Sequence, residues 1–214
     1  MKKFFLYLLL TLFVYLPHII AKEVKVFEFT QEEMEDLKIR KIKGETKWTL
    51  GSNENGKYLK GEAEGEASGL GIEKKINLIE TPYINITWKV EKDLSGIKEN
   101  SKKGHDYAAR VFVVKKTGTT PLSNRAINYV FSSNNDVNQN WKSPYTKRSI
   151  DYVLSTTKNN FNEWVTVKAN VKKHFKDLYD LEVNEINGVA IMTDTDNSKQ
   201  KAIAYYQNIY FSSE

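Results

Sequence analysis

The densest run of hard oxygen donors in the chain is Asp194, Thr195, Asp196 and Asn197, placed after an apolar stretch and before a polar one. Oxygen donors grouped in this way suit calcium, which takes about six to eight of them. Asp194, Asp196 and Asn197 are therefore the candidate ligands of a possible structural calcium ion. The run lacks the glycine and the distal glutamate of a calcium-binding helix-loop-helix, and Asp and Asn also close ordinary turns on their own backbone. The turn reading is placed first. Arg110 poses a second question, because it interrupts an apolar strand on the face of Ala108, Phe112 and Val114. A guanidinium in that position needs a carboxylate or a polar cleft. Asp106, Asp194 and Asp196 are the candidate partners, with a structural ion pair placed ahead of a ligand contact.

Aromatic residues in polar surroundings point to a third kind of chemistry. Sugar rings present C–H faces that stack on Trp and Tyr while their hydroxyls bond nearby polar groups. Trp141, just ahead of Pro144 and Tyr145 in a polar stretch, is the first candidate. Trp164 follows, beside Thr166 and Lys168 on the wet face of a strand. Trp141, Tyr145, Trp164, Arg110 and Asp106 make up the candidate ligand-binding set. Trp141 folded back onto the sandwich is the plain alternative, and Trp88 is expected in the core.

Other routes to catalysis leave no trace. His105 and His174 lie outside any His-Glu-x-x-His spacing, and the chain has no Gly-x-Ser-x-Gly elbow, phosphate-cradling loop or dinucleotide fingerprint. No catalytic residue is assigned. Paired carboxylates acting on a glycan can meet in space without a sequence spacing, and Asp106, Asp194 and Asp196 are the first to test for that role.

The elements that position these residues read as β-structure. Across residues 83–90, Ile84, Ile86, Trp88 and Val90 alternate with Asn85, Thr87 and Lys89, the period of a half-buried strand. Residues 164–171 alternate likewise. Residues 107–114 and 188–192 are apolar on both faces, as expected of central strands covered on each side. Residues 127–131 and 203–211 complete the clear strands. Two short helices are expected, over residues 31–37, with Thr30 as N-cap and Glu33 in a capping box, and over residues 171–178. Residues 51–56 and 132–145 are the longest turn-rich segments. Many strands with few helices predict an all-β, two-layer β-sandwich. The Asn85-Ile86-Thr87 sequon lies within a strand and is read as chance.

Lys2 and Lys3 precede an apolar run that begins at Phe4 and closes at Ala21 before Lys22, the layout of a secretory signal peptide. Residues 1–21 are expected to be cleaved, leaving one β-sandwich domain over residues 22–214, periplasmic or secreted. An uncleaved anchor is the rival, and no membrane span is expected after cleavage. The net charge of +5 drops to +3 without Lys2 and Lys3, and basic and acidic residues are interspersed. Nucleic acid as a partner is excluded on that pattern. Cysteine is absent, which removes disulfides, thiolate metal sites and a cysteine nucleophile.

Residues 103–111, 127–130 and 188–197, in that order, resemble the signature stretches of DUF3047, a bacterial family without an assigned function. The similarity extends over residues 48–211. It implies a galactose-binding-like jelly roll, the architecture of many carbohydrate-binding modules. Two departures stand out: His105 occupies a place usually acidic in the family, and Tyr206-Gln207-Asn208-Ile209 replaces the expected Tyr-Gly-Asp-Ile. The matched Asp106, Arg110, Asp194 and Asp196 are the implied polar site. Together these observations predict an exported, non-catalytic module of the cell envelope that binds a glycan or similar polar ligand. A glycan-directed hydrolase or lyase, or an envelope-assembly protein, is the alternative.

Overall fold

The computed structural model describes residues 21–120 and 123–214. The expected leader, Ala21 apart, lies outside the described residues. In chain order the elements are β1 (Glu23–Lys25), α1 (Gln31–Asp36), β2 (Lys38–Lys43), β3 (Lys47–Asn53), β4 (Gly56–Glu64), β5 (Ala67–Ile72), β6 (Ile76–Asn77), β7 (Tyr83–Lys92) and β8 (Tyr107–Lys115). Then come β9 (Arg125–Ser132), β10 (Asn140–Ser143), β11 (Thr146–Thr156), α2 (Thr157–Asn160), β12 (Val165–Asn170), α3 (Val171–Tyr179), β13 (Glu185–Ile186), β14 (Gly188–Asp194) and β15 (Lys201–Ser212).

Two sheets form a sandwich with the jelly-roll shape. One has seven strands in the order β10-β11-β9-β8-β14-β5-β2, antiparallel throughout except between β11 and β9. The other runs β12-β7-β15-β4-β3, with β1 also paired to β15. Between them lies one core that takes Ile84, Ile86, Trp88 and Val90 from β7, Val111 and Val113 from β8, and Ile127, Tyr129 and Phe131 from β9. Each such side chain, fully buried, contributes roughly 1.5–3 kcal/mol. Trp88 packs on Phe131 with ring centroids 5.5 Å apart, and its indole N–H donates to Ser155 Oγ at 2.9 Å, so no polar atom of this largest core residue is stranded.

The helices start where the capping residues place them. Thr30 Oγ1 accepts from the Glu33 backbone N–H at 3.1 Å, while the Glu33 carboxylate accepts from the N–H groups of Glu28 and Phe29. Asn170 caps α3, which turns Val171 and Phe175 into the core and ends at Asp180 in the left-handed conformation. A single-turn α-helix, α2, and a 3-10 turn over Lys102–Gly104 go beyond the two expected. Among the described residues no helix is long and apolar enough to cross a membrane.

Three sequence expectations change. The turn-rich segment 132–145 contains strand β10, so Trp141 sits on a strand rather than in a loop. Ala108 joins the core instead of sharing a face with Arg110. The cause is a register shift opposite β8 between Met192 and Asp194, a bulge that re-aims the strand end. The strands apolar on both faces, β8 and β14, are covered by the core on one side only. Their other face forms the floor of a cleft.

Candidate functional site

The cleft occupies the outer face of the seven-stranded sheet and encloses about 650 Å³. One register row crosses all seven strands: Lys38, Gly71, Ala190, Phe112, Asn128, Asp151 and Trp141. The next row runs Arg40, Gly69, Met192, Arg110, Val130 and Val153. Side chains in one row point the same way, so the glycines and Ala190 leave a low trough between the basic edge strand β2 and the bulkier Phe112 and Met192. A Cβ added at Gly71 meets the Cβ of Ala190 at 3.2 Å, the Val189 carbonyl oxygen at 3.6 Å and the Ala190 Cα at 3.9 Å. At Gly71 the trough therefore exists because a side chain is missing, whereas at Gly69 a Cβ would meet the Ile191 carbonyl oxygen at 2.9 Å and the backbone itself demands glycine.

One end of the trough holds a buried polar network. Asp151, with no exposed surface, accepts from His105 Nε2 at 2.8 Å and from Asn128 Nδ2 at 2.7 Å. A carboxylate at this place only accepts, so the amide of Asn128 is fixed with Nδ2 toward Asp151, and the His105 N–H must be on Nε2. Arg110 Nη2 donates to the His105 carbonyl at 3.2 Å and to Asp194 Oδ2 at 2.5 Å. Arg110 and Asp194 are each 3% exposed. Burial is the largest single influence on Arg110 and opposes its charge, but Asp194, Asp151 and Tyr107 together outweigh it and hold the guanidinium above its ordinary proton affinity. The guanidinium also lies 4.5 Å from the ring centroid of Tyr107, a cation–π contact. Burial keeps the Tyr107 hydroxyl protonated far above the usual range, reinforced by the nearby charge of Asp151.

Five buried side-chain polar atoms lack a hydrogen-bond partner among the described residues: Trp48 Nε1, Tyr107 Oη, Arg110 Nε, Asn128 Oδ1 and Trp141 Nε1. Arg110 and Asn128 line this end of the cleft, and Tyr107 and Trp141 pack together at its border. Such atoms cost about 1–3 kcal/mol each, and their concentration here marks a site rather than scattered packing faults.

Asp106, Asp194 and Asp196 converge, each offering an oxygen within 4.8 Å of the others. Donors already serve these carboxylates. Asp106 accepts from Asn197 Nδ2 at 2.8 Å and from the Ser198 backbone N–H at 2.5 Å, which anchors the turn after β14. Asp194 is held by Arg110, and a cation at the cluster would sit beside that guanidinium. The turn reading of residues 194–197 thus has a physical account of its own. The Tyr145 hydroxyl lies 2.6 Å from Asn197 Oδ1 and 3.1 Å from the Lys102 carbonyl, and its single proton goes to the nearer oxygen, that of Asn197. Tyr145, 56% exposed, closes this end of the cleft with its ring 5.5 Å from that of His105.

The sequence candidates divide accordingly. Arg110, Tyr145, Asp194, Asp196 and Asn197 line the cleft, and Asp106 braces it from behind. Trp141 packs against Tyr107, Val130 and Val153 at its border. Trp164 lies elsewhere, clustered with Tyr58 and Tyr205 on the outer face of the other sheet. His174 belongs to the scaffold, stacked on Tyr152 and within 3.1 Å of the Tyr129 hydroxyl. Sequence reasoning missed Phe112, Asn128 and Asp151 as site residues. The available signal was a lone polar residue inside each of two buried strands, beside neighbours apolar on both faces.

Asp194 titrates in a way that tests this geometry. Burial pushes its carboxyl from 3.8 up to about 6, against the pull of Arg110. Between those values the folded protein holds a proton that the unfolded chain has lost, so stability falls as pH rises through this window and is full below it. The shift corresponds to about 3 kcal/mol. Unfolding free energies followed from pH 4 to pH 7 will show that decline in the native chain and not in Asp194→Asn; parallel curves for the two would contradict it.

Comparison with known proteins adds a family and a fold. A family model described as a protein of unknown function, DUF3047, matches residues 32–210, reaching α1 and β2 beyond the span expected from the sequence. The family 30 carbohydrate-binding module of the cellulosomal cellulase Cel9D-Cel44B of Clostridium thermocellum superposes with a TM-score of 0.52 at 9% identity, covering 90% of this chain and 98% of that one. A second crystal structure of a family 30 carbohydrate-binding module gives 0.51 at 8% identity, with 90% and 99% covered. At such identities the likeness is one of fold. No curated protein matches the sequence.

Proposed function

The chain belongs to the DUF3047 family, and from that premise we propose that it binds a carbohydrate chain in the cleft on its seven-stranded sheet. The observation that carries this reading is a pair of buried, unpartnered atoms lining one trough: Arg110 Nε, a donor, and Asn128 Oδ1, an acceptor, on adjacent strands. A sugar hydroxyl both donates and accepts, and so satisfies such a pair. Below and beside them, Phe112, Met192 and Ala190 give an apolar floor, and Tyr145 an aromatic wall, for the C–H faces of the rings. A mostly apolar cleft with a few convergent polar groups is the usual form of a ligand site. The fold shared with carbohydrate-binding modules supports the same reading by analogy. The leader expected at the N-terminus would deliver the protein beyond the cytoplasmic membrane, where envelope glycans are found.

Calorimetric titration with a panel of neutral and acidic oligosaccharides tests the proposal. At least one will bind, Phe112→Ala will weaken it roughly tenfold, about 1.4 kcal/mol, and Trp164→Ala will leave it unchanged. Binding lost with Trp164 and kept without Phe112 would move the site to the other sheet.

A further inference from the structure

Resting on that reading of the cleft, we propose that the site also cleaves its ligand: His105 is the base of a β-elimination that breaks a glycan at a uronate residue. The imidazole is already arranged for this work. Asp151 takes Nε2 at 2.8 Å, and its other oxygen is held by Asn128 at 2.7 Å, so the ring is oriented by a carboxylate that is itself fixed. The nitrogen left with a lone pair is Nδ1, on a ring that lines the cleft. A buried carboxylate orienting a histidine in this way is the usual support of a general base.

The substrate class follows from the neighbours. The Arg110 guanidinium touches the carbonyl of His105 itself and keeps Nε unpartnered in the buried site. A carboxylate placed on that N–H has its charge offset where negative charge develops as a proton leaves the adjacent carbon. Hydrolysis fits these residues poorly, since it needs two carboxylates flanking the scissile bond. Of the carboxylates lining the cleft, Asp194 is held by Arg110, Asp196 lies on the same side, and Glu73 sits between Lys38 and Lys116 at the far end. The sequence had directed any catalysis to Asp and Glu. The structure assigns the base to an imidazole.

In the step, Nδ1 takes the proton from C5 of the uronate, the C4=C5 double bond forms, and the C4–O4 bond breaks. The departing oxygen takes a proton from the Tyr145 hydroxyl and stays with the neighbouring sugar as a new reducing end. Solvent then returns a proton to Tyr145 as His105 releases its own. No water, oxidant or metal is consumed. The Tyr145 hydroxyl already donates to Asn197 Oδ1 at 2.6 Å, so it enters the step carrying a proton.

The test incubates the protein with polygalacturonate, alginate and hyaluronan, with a neutral glucan as control. Reducing ends and the ultraviolet absorbance of the unsaturated uronate are followed together. One uronate polymer is expected to yield both in equal amounts and the glucan neither. His105→Gln will lose at least about 100-fold in kcat while still binding the polymer. Tyr145→Phe will lower kcat as a second, milder variant. Asp151→Asn, acting through His105, will lower kcat with KM little changed and displace the pH profile. A uronate polymer that binds without gaining absorbance overturns the elimination and leaves the binding reading standing. Reducing ends without absorbance, or a rate undiminished in both His105→Gln and Tyr145→Phe, also overturns it. Failure to bind any glycan overturns the binding reading first.

Discussion

Arg110→Met will destabilise the fold at pH 7 by about 3–5 kcal/mol, read from denaturant unfolding. The substitution keeps most of the side-chain volume but leaves Asp194 as a buried carboxylate with no cation, 3% exposed and close to Asp106 and Asp196. The cost lies in the stranded charge, not in a lost contact, and two consequences follow. In the native protein Arg110 pulls the Asp194 carboxyl down toward about 6, so without it Asp194 takes up its proton at a higher pH, and the penalty will shrink as the solution is acidified from pH 7. The double variant Arg110→Met with Asp194→Asn will regain most of the stability at pH 7, because both charges leave together. Equal losses in the single and double variants would show that packing, not pairing, holds this end of the cleft.

Gly71→Phe will lower glycan affinity at least about tenfold in a protein that still folds. Gly71 is the penultimate residue of β5, with an ordinary backbone conformation, in the row between Lys38 and Ala190. An added Cβ finds the Ala190 Cβ at 3.2 Å, so Ala190 must give by a few tenths of an ångström, while replacing a glycine inside a strand removes a source of weakness. The aromatic ring would therefore fold with the sheet and occupy the trough. Unfolding curves matched to titrations of the same variant separate the two effects. Unchanged affinity would mean that the trough floor is not where the ligand lies.

The sandwich was legible because alternation in β7 and β12 reports which side faces the core, even though Asn85 and Thr87 on the polar side of β7 are themselves buried, and because Thr30 and Asn170 announce the helices that they cap. Strands β4 and β5 left a weaker pattern, since glycines 61, 69 and 71 supply no side chain to alternate. Residues 107–114 were read as covered on both sides. Periodicity tells that a face is apolar but not whether another layer or a ligand will cover it, and here the second apolar face is the cleft floor. Arg110 was found because a charge inside an apolar strand demands a partner. The choice of Asp194 over Asp106 needed the bulge at Met192, a register effect with no signature in composition. His105 was noticed only as a departure, because its partner Asp151 lies 46 residues away on a strand two places across the sheet. Trp164 looked exposed to ligand because its strand face is polar. Its ring is instead packed with Tyr58 and Tyr205.

The most direct measurement is amide chemical-shift mapping of the protein titrated with the oligosaccharide that binds best. The account predicts shifts at Gly69, Gly71, Phe112, Asn128 and Met192, with Tyr58, Trp164 and Tyr205 unmoved. Shifts confined to that aromatic cluster on the opposite sheet would contradict it.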